Sequence, residues 1–194
     1  MTQKVYNLIV LDASGSMYSI RKEAITGVVE TIQTIRTAQT ENPNQEQLFS
    51  LVVFNGRRIS TVYDRMSIAK VPDLNENDYQ PTDNTPLYDA MGNSITHLRQ
   101  YIDKGDSVLV TIITDGYENS SVEWNHARVF QLVEELKKGN WLFTYIGANQ
   151  DAMAVAKGMG IEHSLNFEAD MEGTKAMPNC ADSTTRSQVE HTTR

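Results

Sequence analysis

Two short apolar runs constrain this chain more than any other feature. Tyr6-Asn-Leu-Ile-Val-Leu11 and Ser107-Val-Leu-Val-Thr-Ile-Ile-Thr114 are rich in β-branched residues, and each ends at an aspartate, Asp12 or Asp115, with a glycine close behind. A strand that is apolar on both sides of its pleat must be covered on both faces, which is the situation of a parallel sheet between two layers of helices. Trp141–Gly147 reads the same way, and Ile161–Phe167 is a weaker late strand. Leu48–Phe54 and Arg57–Tyr63 flank Asn55-Gly56, the pair that best tolerates the positive φ angles of a two-residue type I′ turn, so an antiparallel hairpin is expected there.

Between the strands the period changes. Ile20, Ala24, Val28, Ile32 and Ile35 recur at steps of four and three, as do Leu87, Met91, Ile95, Leu98 and Ile102, which predicts two amphipathic helices. Val129, Leu132, Val133 and Leu136 predict a third, stopped by Gly139. Asn149 is placed to cap a short fourth through Ala156, ended by Gly158. Strand and helix alternate, with one hairpin inserted. The expected fold is therefore α/β: three layers, a mostly parallel Rossmann-like sheet and one antiparallel edge strand.

At 194 residues the chain is the size of one domain, and a chain this long buries roughly 70% of its unfolded surface. Residues 1–171 are read as that domain. Residues 172–194, where Gly, Thr, Ser, Pro and charge replace periodic apolar positions, are read as a mobile or loosely docked tail. A single cysteine, Cys180, rules out an intramolecular disulfide. The net charge of −8 argues against nucleic acid, whose phosphates demand a clustered basic surface. Leu8–Leu11 is too short for a signal peptide and no run approaches about 18 apolar residues, so the expected setting is cytoplasmic without membrane insertion.

In an open parallel sheet, ligands bind where strand C-termini deliver their loops. Asp12 and Asp115 sit at two such ends. Asp12-Ala-Ser14-Gly-Ser16 adds two hydroxyls at alternate positions, with Gly15 expected to let the loop turn tightly, and Thr85 opens the helix in Thr85-Pro86-Leu-Tyr-Asp-Ala90. Two carboxylates and three hydroxyls are oxygen donors only, which suits a hard divalent cation: Mg²⁺ first, with Mn²⁺ or Ca²⁺ as alternatives. His97, His126, His163 and His191 are scattered without ligand spacing. Paired aspartates without an ion would raise one another's pKa.

These motifs carry a resemblance. Asp12-x-Ser14-x-Ser16, Thr85 in its Thr-Pro-Leu-Tyr-Asp-Ala context, and Thr114-Asp115-Gly116 after a buried strand resemble the three parts of a metal ion-dependent adhesion site. That site is the signature of von Willebrand factor type A (vWA) domains, a family that includes integrin inserted domains, and the match spans residues 4–167. The resemblance implies that Ser14 and Ser16 bind the ion directly, that Thr85 joins them in the ligand-competent state, and that Asp12 and Asp115 act largely through water or as alternating ligands. A partner protein's Asp or Glu would complete the sphere. Relatives often carry Gly before the Thr, where this chain has Asp83-Asn84, residue types that tolerate left-handed backbone. Tyr145-Ile-Gly-Ala-Asn149-Gln-Asp151 resembles a phrase of free-standing bacterial members. Tyr18, Tyr117, Glu118 and Asn119 follow the ligating loops and are expected to rim the site, whereas Asp89, in the first turn of its helix, is assigned to the helix dipole.

The function that follows is a non-enzymatic, metal-dependent protein-binding module, and recruitment of an acidic partner to a larger machine such as an ATPase assembly is compatible with it. The alternative is a Mg²⁺-dependent phosphohydrolase with Asp12 as nucleophile. Such enzymes want a second carboxylate two residues on and a lysine near the later aspartate; Ser14 holds the first place and no lysine lies near Asp115. A serine hydrolase lacks both a positioned histidine and Gly-x-Ser-x-Gly.

Overall fold

The computed structural model describes residues 3–75, 77, 79–115, 117–148 and 152–167. Strand β1 (Gln3–Asp12) leads through a 3-10 turn, Gly15–Ile20, into α1 (Arg21–Glu41); β2 (Gln45–Asn55) and β3 (Arg58–Ser67) form the hairpin. Next come α2 (Leu87–Arg99), β4 (Ser107–Thr114), α3 (His126–Leu136), β5 (Trp141–Ala148), α4 (Ala152–Gly158) and β6 (His163–Phe167). The strands form one sheet in the order β3-β2-β1-β4-β5-β6. Every neighbouring pair is parallel except β2 and β3, as the alternation of periods predicts.

Both faces of the sheet are buried, because β1 is apolar on both sides of its pleat. Tyr6, Leu8 and Val10 point into a core shared with Met91, Ile95 and Leu98 of α2 and Val129 and Val133 of α3. Ile9 and Leu11 point the other way, into Ala24, Val28 and Ile32 of α1. A one-residue slip would exchange these two sets, so the pleat itself fixes the register. The chain leaves β1 toward β2 on one side and returns as β4 on the other, so the order reverses between β1 and β4. In this architecture ligands collect beside the C-terminal ends of such strands, which is where Asp12 and Asp115 lie.

The hairpin differs in detail from its expectation. Asn55 pairs with Arg58, so the turn is Gly56-Arg57 rather than Asn55-Gly56. Neither turn residue has a positive φ, which excludes type I′. The Asn55 side chain does the work instead, its Oδ1 accepting from Arg57 N at 3.0 Å and Arg58 N at 3.2 Å, an Asx turn. Helix α2 begins one residue later than expected, with Pro86 rather than Thr85 in the N-cap position and no side-chain cap. Ile102 falls past the end of α2 but still packs on the core. Asn149, Gln150, Asp151, Gly116, Cys180, His191 and the tail 172–194 lie outside the described residues. Among those described, no helix is long and apolar enough to cross a membrane.

Candidate metal and partner site

Asp12 ends β1 with no exposed surface, and its two carboxylate oxygens have different partners. Oδ1 accepts the Ser14 N–H at 2.7 Å and Oδ2 accepts the Thr114 hydroxyl at 2.5 Å. The first is the two-residue Asx geometry available to any aspartate at a strand exit. The second needs β4 next to β1. Ser14 is buried as well, and its hydroxyl lies 3.2 Å from that of Ser16. Ser16 is exposed and donates to Asp115 Oδ1 at 2.7 Å. Four of the five expected donors thus form one hydrogen-bonded chain across the β1–β4 boundary: Asp12, Ser14, Ser16 and Asp115.

Thr85 reaches the same edge through its backbone. It is buried, and its N–H donates to Asn119 Oδ1 at 2.9 Å while its carbonyl accepts the Asn119 N–H at 3.2 Å. Among the described residues no hydrogen bond joins the Thr85 hydroxyl to the other four. The preceding segment is laid along the β1 loop by two backbone bonds, Thr82 N–H to Ala13 C=O at 2.8 Å and Gly15 N–H to Asp83 C=O at 2.9 Å. Asp83 holds φ +73°, the left-handed backbone anticipated for this position, and its carboxylate pairs with Arg57 at 2.8 Å, so its charge is partnered. That pairing, first of all, holds the Asp83 carboxyl below the usual range. Gly15, by contrast, has no positive φ, and a Cβ there would meet Asp83 only at ordinary contact distance, 3.6 Å. The turn after Asp12 comes from the 3-10 segment, not from glycine's freedom.

Burial pushes the Asp12 carboxyl up to about 6, against the opposing pull of the Thr114 hydroxyl and the Ser14 N–H and hydroxyl. The nearby Asp115 also raises it, but as the smallest cause, so desolvation rather than mutual repulsion dominates. Asp115 is raised too, by burial first, with the Ser16 hydroxyl opposing. Tyr79 completes the floor. Its hydroxyl donates to the Asp12 carbonyl at 2.5 Å, and burial followed by the Asp12 charge raises its pKa.

The loop after β4 is held more firmly than its sequence suggests. Glu118 Oε2 accepts the Tyr88 N–H at 2.9 Å and the Ser121 hydroxyl at 2.6 Å, and Oε1 accepts the N–H groups of Ser120 and Ser121. Asp89, buried in the first turn of α2, accepts the N–H groups of Val122, Glu123 and Trp124 at 2.7–2.9 Å. Of the residues expected at the rim, half-buried Glu118 braces the loop, exposed Asn119 ties it to the Thr85 backbone, and Tyr18 and Tyr117 stand exposed. Asp89 binds the neighbouring loop, a role beyond the dipole assignment. Thr114, Tyr79 and these bracing contacts left little trace in the sequence. Thr114, beside Asp115, and Glu118, two and three residues from Ser120 and Ser121, carry a local hint, whereas Tyr79, Asp89 and the Glu118–Tyr88 bond join residues about 30 to 67 positions apart.

No protein-family model and no curated protein sequence matches the chain. Solved structures do. The vWF domain of the type V pili tip protein Mfa5 from Porphyromonas gingivalis superposes with a TM-score of 0.66 at 11% identity, over 96% of this chain and 97% of that one. The von Willebrand factor type A structure from Catenulispora acidiphila gives 0.59 at 14% identity, over 90% and 42%. The fold is that of a vWA domain. Proximal thread matrix protein 1 from the mussel byssus gives 0.62 at 15% identity, over 91% and 44%. The chain thus spans less than half the length of the byssus and Catenulispora structures, and the vWA fold accounts for nearly all of its own described length.

Within this vWA fold the described residues contain no cluster of three or more His, Cys, Asp or Glu. The donor set is two carboxylates and three hydroxyls, poor for Zn²⁺ or Cu²⁺ and suited to a hard cation. A carboxylate held in a dry pocket with a raised pKa, beside a second carboxylate and a file of hydroxyls, fits a cation electrostatically.

Proposed function

We propose that the chain is a non-enzymatic, metal-dependent protein-binding module. Ser14, Ser16 and Thr85 would hold a divalent cation, Mg²⁺ in the first instance, with Asp12 and Asp115 as direct or water-bridged ligands. A bound ion would supply a Lewis-acid position for a carboxylate oxygen from an Asp or Glu of the partner. The observation that carries this reading is the hydrogen-bonded chain Asp12–Ser14–Ser16–Asp115 at the reversal of strand order. The hydrogen-bonded backbones of Thr85 and Asn119 add to it, since they bring the fifth donor to the same edge. Recruitment of an acidic partner to a larger assembly, an ATPase complex for instance, is the wider role in keeping with this chemistry.

The phosphohydrolase alternative fares worse on geometry. A nucleophilic Asp12 needs room for a phosphoryl group in line with one of its oxygens, far more than an ion or its water needs, yet the side chain has no exposed surface. Ser14 stands where an acid–base carboxylate would be needed.

The test is thermal stability in EDTA and in Mg²⁺ or Mn²⁺, for the wild type and for Ser14→Ala/Ser16→Ala. An ion at about 100 times its dissociation constant adds roughly 2.7 kcal/mol. A rise present in the wild type and lost in the variant supports the site. No rise in either protein refutes it.

A further inference from the structure

The three most exposed large apolar side chains of the described residues all follow the site loops: Val122 at 89%, Tyr18 at 71% and Tyr117 at 64%. Tyr18 lies two residues after Ser16 and Tyr117 two after Asp115, and Ser16 and Asp115 are bonded to each other. Both exposed tyrosines therefore lie two positions along the chain from the partners of one hydrogen bond. Val122 sits further along the same loop. The remaining exposed apolar residues, Ile59, Val62, Tyr101 and Phe130, are 36–40% exposed and lie elsewhere on the fold.

Exposure of this kind commonly marks a slack loop, and here the backbone is the opposite. The Val122 N–H donates to Asp89 Oδ2 at 2.8 Å, the next two N–H groups donate to Asp89 Oδ1, and Glu118 collects four more donors from the same stretch and from α2. The Trp124 ring packs over Gly92 so closely that a Cβ on Gly92 would lie 2.0 Å from it. The most exposed apolar side chain thus rises from one of the most firmly held loops. Presenting apolar groups on a pre-ordered backbone lowers the entropy cost of binding, a property of interaction surfaces.

Charge narrows the occupant. A divalent ion would only balance Asp12 and Asp115, leaving no net positive charge to draw an anion. Of the flanking charges, Asp83 is paired with Arg57, Glu118 keeps its negative charge within four neutral hydrogen bonds, and the Arg21 cation lies at the floor on the Tyr79 carbonyl, so no surplus of positive charge is left at the edge. A lone carboxylate would gain orientation and metal dependence but little affinity, so the surrounding apolar area must supply it. We infer that this edge recognises a protein segment carrying one Asp or Glu flanked by large apolar side chains, which pack on Tyr18, Tyr117 and Val122. The inference rests on the metal-site reading above.

The experiment displays a peptide library with a fixed central Asp or Glu and random flanks, selected on the full chain in Mn²⁺ and eluted first with EDTA and then with acid, so that EDTA-resistant binders are recovered separately. The expected result is enrichment of aromatic or aliphatic residues beside the acid, and a loss of affinity of at least tenfold in a Tyr18→Ser/Tyr117→Ser/Val122→Ser variant whose melting temperature still rises with Mg²⁺. That retained rise shows an intact fold and metal site. Polar flanks, unchanged affinity in the variant, or no EDTA-sensitive peptide from a protein that Mg²⁺ stabilises would overturn the inference. Apolar-flanked peptides that resist EDTA and are lost in the variant would instead refute the metal reading and leave the surface standing.

Discussion

Replacing Asp12 by Asn should stabilise the metal-free protein while abolishing its response to metal. The folded protein holds this carboxyl near pH 6 and an ordinary aspartate titrates at 3.8. At about 1.4 kcal/mol per pH unit, ionising Asp12 at neutral pH costs the fold about 3 kcal/mol. The sign follows from proton binding: between about 4 and 6 the folded state holds more protons than the unfolded chain, so stability falls as pH rises through that window. Below it the cost is absent. Asn fits the same contacts, with Oδ1 accepting the Ser14 N–H and the amide donating to a reversed Thr114 hydroxyl. In EDTA at pH 7.5 the variant should melt roughly 6–12 °C higher, taking about 2–4 °C per kcal/mol for a chain of this size. At pH 4 the two proteins should melt together. Saturating Mg²⁺ should close the gap at pH 7.5 by stabilising only the wild type. Melting curves at pH 4, 5.5 and 7.5, with and without Mg²⁺, test all of this. A variant less stable than the wild type in EDTA at pH 7.5, or an advantage unchanged down to pH 4, would refute the reasoning.

Asp89→Ala should cost about 2–4 kcal/mol, because three N–H groups lose their acceptor at a site that water only partly reaches; amide exchange at Val122–Trp124 should accelerate, and unchanged protection there would contradict the bracing role. Gly92→Ala should destabilise by about 1–3 kcal/mol despite the helix preference for alanine, since the new methyl displaces the Trp124 ring. In a Trp141→Phe background the remaining tryptophan emission should shift to the red, and a more stable protein with unshifted emission would count against the packing. Gly56→Ala places a Cβ 2.9 Å from Asn84 N and Asp83 Oδ1, so it should push the segment ahead of Thr85 and weaken Mg²⁺ binding more than it lowers stability. An unaltered Mg²⁺ titration would show that this segment does not position Thr85.

What the sequence makes legible is what local geometry decides. Two strands apolar on both faces imply a covered parallel sheet whose strand ends share an edge, and an aspartate at a strand exit readily turns its carboxylate onto the N–H two residues later; with β1 paired to β4, Asp12, Ser14, Ser16 and Asp115 are found together. Where a side chain competes with the backbone, the reading slips by a residue. Asn55 bonds across the hairpin turn and moves it to Gly56-Arg57, and Pro86 takes the cap position expected of Thr85. Asp89 shows the limit most clearly: in the first turn of a helix an aspartate answers to the dipole, and only the packed loop reveals that its carboxylate binds three other donors. Nothing within ten residues of Asp89 could have signalled that.

The division of the site into a dry floor and a wet lip fixes how a partner can approach. Asp12, Ser14, Thr85 and Thr114 are buried and interlocked from β1, β4 and the segment before α2, whereas Ser16 is exposed and Asp115 half-buried. An ion held by these groups would be shielded from below by the buried floor and would meet a ligand only from the side of Ser16 and Asp115. Tyr18 and Tyr117 follow those two residues in the chain. The exposed residues through which a carboxylate could reach the ion are thus followed in the chain by exposed tyrosines, so under this proposal metal dependence and apolar contact would be read in a single approach. A partner lacking either feature would then be rejected, through an unmatched ion in one case and unburied aromatic area in the other.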